Sequence, residues 1–100
     1  MTTPSPFDEI RAGLDEIEAA HRKRVSAFED AVGIAADDID DPSVVAGVER
    51  GKLTTLVVPD DIFSLPVPEI EAIVNGLIMA AFQDWHSTYQ ALLNDSDYNP

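Results

Sequence analysis

One hundred residues with 19 acidic and 6 basic side chains, a net charge of −13, make one acidic domain and leave little room for a second. A uniformly acidic surface repels nucleic-acid phosphate and anionic membrane, and favours basic or apolar partners. Cysteine is absent, which excludes disulfide frameworks, thiolate zinc sites and cysteine nucleophiles, while 45% hydrophobic residues place the chain in the globular class.

The first ten residues, MTTPSPFDEI, lack the basic segment and apolar run of a secretory signal. The longest nearly apolar run, AIVNGLIMAAF, is eleven residues long and contains Asn75, too short to cross a bilayer. A soluble, cytoplasmic protein with no membrane partner is expected. Residues 1–5 read as a flexible leader, 6–93 as a single α+β domain, and 94–100 as a polar tail.

Ser5, Pro6 and Asp8 supply a hydroxyl N-cap, a proline at the first helical position and an acid at N3, which together start a helix. Phe7, Ile10, Leu14, Ile17, Val25, Phe28 and Val32 then recur as one helical stripe from Pro6 to Val32. Asp8 and Glu9 at its start, and Arg22, Lys23 and Arg24 towards its end, suit the helix dipole. Gly33 is expected to end the helix. GIAADDIDDP has no period and reads as a loop. Its aspartates lack the order and the glycine turn of a calcium loop, so no metal is assigned.

Ser43–Glu49 and Lys52–Val58 are rich in β-branched residues and flank Arg50-Gly51, which predicts a hairpin of two strands. Pro59 closes the second strand because it cannot donate a ladder hydrogen bond. In DDIFSLPVP, Ile62, Phe63 and Leu65 are expected in the core. The last helix starts near Val67 or Pro68. Its broad apolar face, Ile70, Ile73, Val74, Leu77, Ile78, Ala81, Trp85, Tyr89 and Leu92, is widened by Met79, Phe82 and Leu93. Gly76 and Ala80, four apart, suit close packing of a neighbouring helix. This breadth predicts more apolar surface than one copy covers. Ile70, Val74, Leu77, Ile78, Ala81, Phe82, Trp85 and Tyr89 are the expected interface residues.

Catalytic machinery is not expected. Asp84, His86 and Ser87 are too close along one helix to form a relay by themselves, and no nucleophile elbow is present. His21 and His86 lack zinc-protease spacing, and there is no glycine-rich phosphate loop, so no cofactor is assigned. HRKR at 21–24 is the one basic concentration. Consecutive residues radiate around a helix, so only part of it could meet phosphate. Trp85 and Tyr89 lie on the apolar face without interleaved cations, which argues for core or subunit contact over base stacking.

The run GVERGKLTTLVVPDDIFSLPVPEIEAIVNGLIMAAFQDW resembles the core of the YbaB/EbfC family, over about 40 residues. Gly51, Leu53, Leu56, Val58, Asp60, Asp61, Leu65, Glu69, Glu71, Ala72, Ala80 and Ala81 stand where that pattern places a turn glycine, a strand, an acidic segment and an alanine-rich helix. The resemblance implies an intertwined homodimer with a shared sheet and a projecting first helix. It also implies nucleoid-associated DNA binding, with Arg22, Lys23 and Arg24 on phosphates; shorter actinobacterial relatives are similar to parts of type VII secretion systems. This chain departs from the DNA-binding form in its strongly negative charge and in a first helix that is not rich in Gln and Met. It also shows two strands where the family usually has three. The reading preferred here is therefore a non-enzymatic homodimer acting as a protein-interaction or chaperone-like accessory factor, linked to secretion, with a nucleoid-associated DNA-binding dimer as the alternative.

Overall fold

A computed structural model describes residues 5–38, 40, 41 and 43–100. Most of the expected leader lies outside these residues. Helix α1 spans Pro6–Asp30, β1 Val32–Ala36, β2 Val45–Glu49, β3 Lys52–Val57 and α2 Val67–Asn94, with a 3₁₀ turn at Asp60–Ser64 before α2. The architecture is α+β: an N-terminal helix, a three-stranded antiparallel sheet in the order β1-β2-β3, and a C-terminal helix.

The start of α1 follows from local chemistry. The Ser5 hydroxyl accepts the Asp8 N–H, and the Asp8 carboxylate accepts the Ser5 N–H, a reciprocal capping box. Its end differs from expectation. Ala31 turns extended at φ −67° and ψ 135°, so the helix stops before Val32, and its last turn carries no basic residue. Arg22, Lys23 and Arg24 sit too far back to complement the C-terminal dipole, whose reach is about one turn.

The segment expected to be a loop begins with a strand, and Gly33 is the second residue of that strand rather than a helix stop. β1 pairs with β2 from Val32↔Glu49 to Ala36↔Val45. A Cβ at residue 33 would collide with the Ala81 carbonyl and the Trp85 backbone. Glycine there lets the strand backbone lie directly on α2, opposite the fully buried Ala81. The weak β pattern of VGIAA hid this strand, because its packing depends on small residues instead of branched ones.

The β2–β3 hairpin lies where expected. Arg50 and Gly51 both have positive φ, 53° and 70°, the geometry of the tight two-residue turn whose twist matches the flanking strands. A bulge leaves Thr54 unpaired between Val48↔Leu53 and Gly47↔Thr55.

α2 lies across β1 and β2 and leaves β3, exposed at every residue, largely uncovered. The core is small: Ala46, Val48 and Ala81 are fully buried, with Ala35, Leu77, Ile78 and Trp85 packed against them. Ile62 is buried beside the sheet, but Phe63 is exposed and Leu65 is at the surface, against expectation. A 3₁₀ turn of five residues turns only part of its circumference inward.

α1 crosses to α2 only near its C-terminal end. Phe28 meets Trp85 edge-on at 5.3 Å, and Trp85 stacks on Tyr89 at 5.5 Å. The tail then straps the two helices: Lys23 Nζ donates to the Asp95 carbonyl at 2.8 Å, and the Tyr98 hydroxyl donates to Asp30 at 2.6 Å. That hydrogen bond, leading a smaller effect of burial, pushes the Tyr98 phenol above its ordinary value. N-terminal to Ala19, α1 projects as an arm. The radius of gyration is 21.0 Å, against about 13 Å for a compact chain of this length.

Candidate interaction surface

The exposed apolar side chains of α1 and the sheet fall into three groups. The first is the arm. Phe7, Ile10, Leu14 and Ile17 continue the helical stripe and are 79%, 61%, 54% and 67% exposed. Among the described residues none covers them, because α2 and the sheet engage α1 only from the Phe28 end.

The second group is the sheet face turned away from α2. Strand residues alternate faces, and Gly33, Ala35, Ala46 and Val48 point towards the helix. Val32, Ile34, Val45, Thr55 and Val57 therefore share the opposite face, around Gly47. Val32, Ile34 and Val57 are exposed. A Cβ at residue 47 would stand 3.2 Å from the Thr55 Cβ, so glycine keeps the middle of this face as a shallow groove.

The third group is β3. Leu56 pairs with Ala46 and Leu53 with Val48, so both leucines lie on the helix-bearing face. Both remain exposed, because α2 covers the other two strands. β3 is also an outer strand, with one row of backbone groups directed away from the sheet. The other outer strand is treated differently. The Ile34 N–H of β1 donates to the Asp84 carboxylate of α2 at 2.9 Å, which occupies the middle of that edge. No such side-chain acceptor meets β3 among the described residues.

The expected interface residues are divided by this geometry. Ala81, Leu77, Ile78 and Trp85 pack against the chain's own core. Ile70, Val74 and Tyr89 are half-buried, and Phe82 lies at the margin of α2. The surplus apolar surface assigned to the last helix is thus found mainly on α1 and the sheet, while α2 contributes Val67, Met79 and Phe82. Among the described residues no neighbouring helix approaches Gly76, where a Cβ would have nothing within 4 Å. The stripe of α1 was legible in the residues but its lack of cover was not; a projecting first helix was expected only from the family resemblance.

The basic residues do not converge on one ligand. Lys23 is held by the Asp95 carbonyl, Arg22 lies beside the tail, and Arg24 is exposed. Asp84 is engaged with β1, and its carbonyl also accepts the Thr88 hydroxyl at 3.0 Å; His86 stands exposed beside it. In the acidic loop, Asp37 Oδ1 accepts the N–H groups of Ser43, Val44 and Asp38 at 2.9–3.0 Å. Those from Ser43 and Val44 chiefly hold its carboxyl below the usual range. Asp37 therefore ties the loop into β2, and among the described residues no three acidic or imidazole groups gather for a metal. No helix of the described residues is long and apolar enough to cross a membrane.

Comparison with family models, curated proteins and solved structures finds no match for this chain. The YbaB/EbfC resemblance stays one of sequence pattern.

Proposed function

We propose that this chain is a non-enzymatic protein-interaction module that works as a homodimer, joined through β3 and the adjacent margin of α2, and that serves a protein partner as an accessory factor. The observation that carries this reading is the uncovered surface. The chain exposes 7488 Å², against about 5,600 Å² for a compact monomer of its mass. The surplus, roughly 1,900 Å² per chain, exceeds the roughly 800 Å² that a standard interface buries on each partner.

A two-fold pairing of β3 strands accounts for much of the geometry. Antiparallel β3 strands from two copies would satisfy each other's outward backbone groups. Leu53 and Leu56 of both copies would then meet at the centre, flanked by two α2 helices. On the other edge Asp84 already occupies the outward Ile34 N–H, which disfavours strand pairing there. The opposite sheet face, with Ile34 and Val57, stays open for a partner, and the acidic surroundings favour a basic or apolar one.

Light scattering after size exclusion tests the dimer. Wild type is expected at twice the chain mass at micromolar concentration. The double variant Leu53→Lys/Leu56→Lys, with like charges placed at the two-fold, is expected to run at the single-chain mass with an unchanged circular-dichroism spectrum. A wild-type monomer throughout that range would sink the proposal.

A further inference from the structure

The projecting half of α1 carries a pattern finer than simple amphipathicity. Phe7, Ile10, Leu14 and Ile17 are spaced three, four and three apart, the 3.5-residue repeat of a helix that packs along another helix. One flank of this seam holds Arg11 and Glu18; the other holds Gly13 and Ala20. Gly13 lies in mid-helix, where it costs about 1 kcal/mol relative to alanine, and among the described residues a Cβ there would have no neighbour within 4 Å.

We propose that this arm is a second self-association surface, on which the α1 arms of two copies pair antiparallel about a two-fold axis near Ala12. In that register Phe7 of one copy faces Ile17 of the other, and Ile10 faces Leu14, so four apolar layers close without a polar residue in the seam. Arg11 faces Glu18 of the other copy twice, once on each side of the axis. Gly13 faces Gly13, which lets the backbones approach where the flanks are small. Self-complementarity of this kind, with residue i meeting j and j meeting i, is what a two-fold contact requires.

A parallel pair fits worse. It would set Glu18 beside Gly13 with no opposite charge, bring Asp8 and Glu9 of both copies together, and align the two helix dipoles. The sheet of a second copy is also a poorer match for the seam, because strands present side chains at a period of two.

The chain has no cysteine, so introduced thiols report the register directly. Helices 8–10 Å apart with Cα atoms at a radius of 2.3 Å bring facing Cα atoms to about 3.4–5.4 Å at closest, a range that overlaps disulfide reach. Phe7→Cys and Ile17→Cys are each expected to give no disulfide-linked dimer alone, and to give one when the two variants are mixed and oxidised. Homodimers of Phe7→Cys would mean a parallel pair. A product of Phe7→Cys with Ile34→Cys would place the arm on a sheet. Either outcome, or no cross-link at all, overturns the proposal. Leu14→Asp, in the middle of the seam, is expected to lower the yield of the mixed product at least tenfold. The same mixture made in the Leu53→Lys/Leu56→Lys background separates the two contacts. A seam of only two heptads is weaker than the β3 dimer, so at the micromolar concentrations of light scattering this background runs at the single-chain mass, while oxidation traps the transient arm pair and the mixed product is expected to persist.

Discussion

The two helices are nearly the same length, 25 and 28 residues, and each carries an apolar stripe, yet they stand in opposite situations. α2 has a sheet beneath it, and Leu77, Ile78, Ala81 and Trp85 are taken into the core. α1 is anchored at its C-terminal end, by Phe28 against Trp85 and Tyr89 and by the tail's bonds to Lys23 and Asp30, and the stripe from Phe7 to Ile17 faces outward. The difference teaches that periodicity identifies a face and says nothing about what covers it. The apolar pattern of α1 is as regular as that of α2, and only the path of the chain separates them.

The contrast breaks first where α2 meets the sheet. Gly33→Val would force β1 off α2, and a loss of about 3 kcal/mol or more is expected in urea unfolding, at the upper end of overpacking effects. Retention of wild-type stability would show that Gly33 is not the close contact described. Leu77→Ala should cost about 2 kcal/mol, at the low end for a core leucine because Leu77 is only partly buried. Its counterpart on the other helix, Leu14→Ala, should change unfolding of the monomeric chain by less than about 0.5 kcal/mol, as an exposed position does. These two leucines, compared in one titration series at concentrations too low for association, measure the difference between the helices.

Smaller effects sharpen the picture at the ends. Ser5→Ala removes the α1 cap and should cost the arm about 1 kcal/mol of local helix stability. Because the arm lies outside the core, faster amide exchange should appear in its first turns with the global midpoint unmoved. The mildest change concerns Asp37. Its carboxyl lies below the usual range in the folded chain, so its contribution is complete above the ordinary aspartate value and is lost as pH falls through the depressed one. Amide exchange at Ser43 and Val44 should quicken over that acidic interval in wild type. In Asp37→Asn it should be quicker already at neutral pH and show no such step.

Much of the candidate surface was legible as composition and pattern, but its location was not. The broad flank of α2 drew the expectation of an interface, and four of its eight expected residues turned out to support the chain's own sheet. β1 escaped notice because VGIAA has little β-branched character and its role rests on a backbone-to-backbone contact at Gly33. Phe63 looked like a core residue by type, and the short 3₁₀ turn directs it outward.

What the amino-acid order determined alone is the local chemistry: the Ser5-Pro6-Asp8 start of α1, the Arg50-Gly51 turn, the proline stop after β3 and the extent of α2. Each depends on groups within a few residues of one another, so the rules of capping and turn geometry suffice. Which apolar faces are covered was decided only by tertiary structure. Cover depends on contacts between residues about 50 positions apart, such as Ile34 with Asp84. Such contacts follow from the placement of whole elements, and no window along the chain contains both partners.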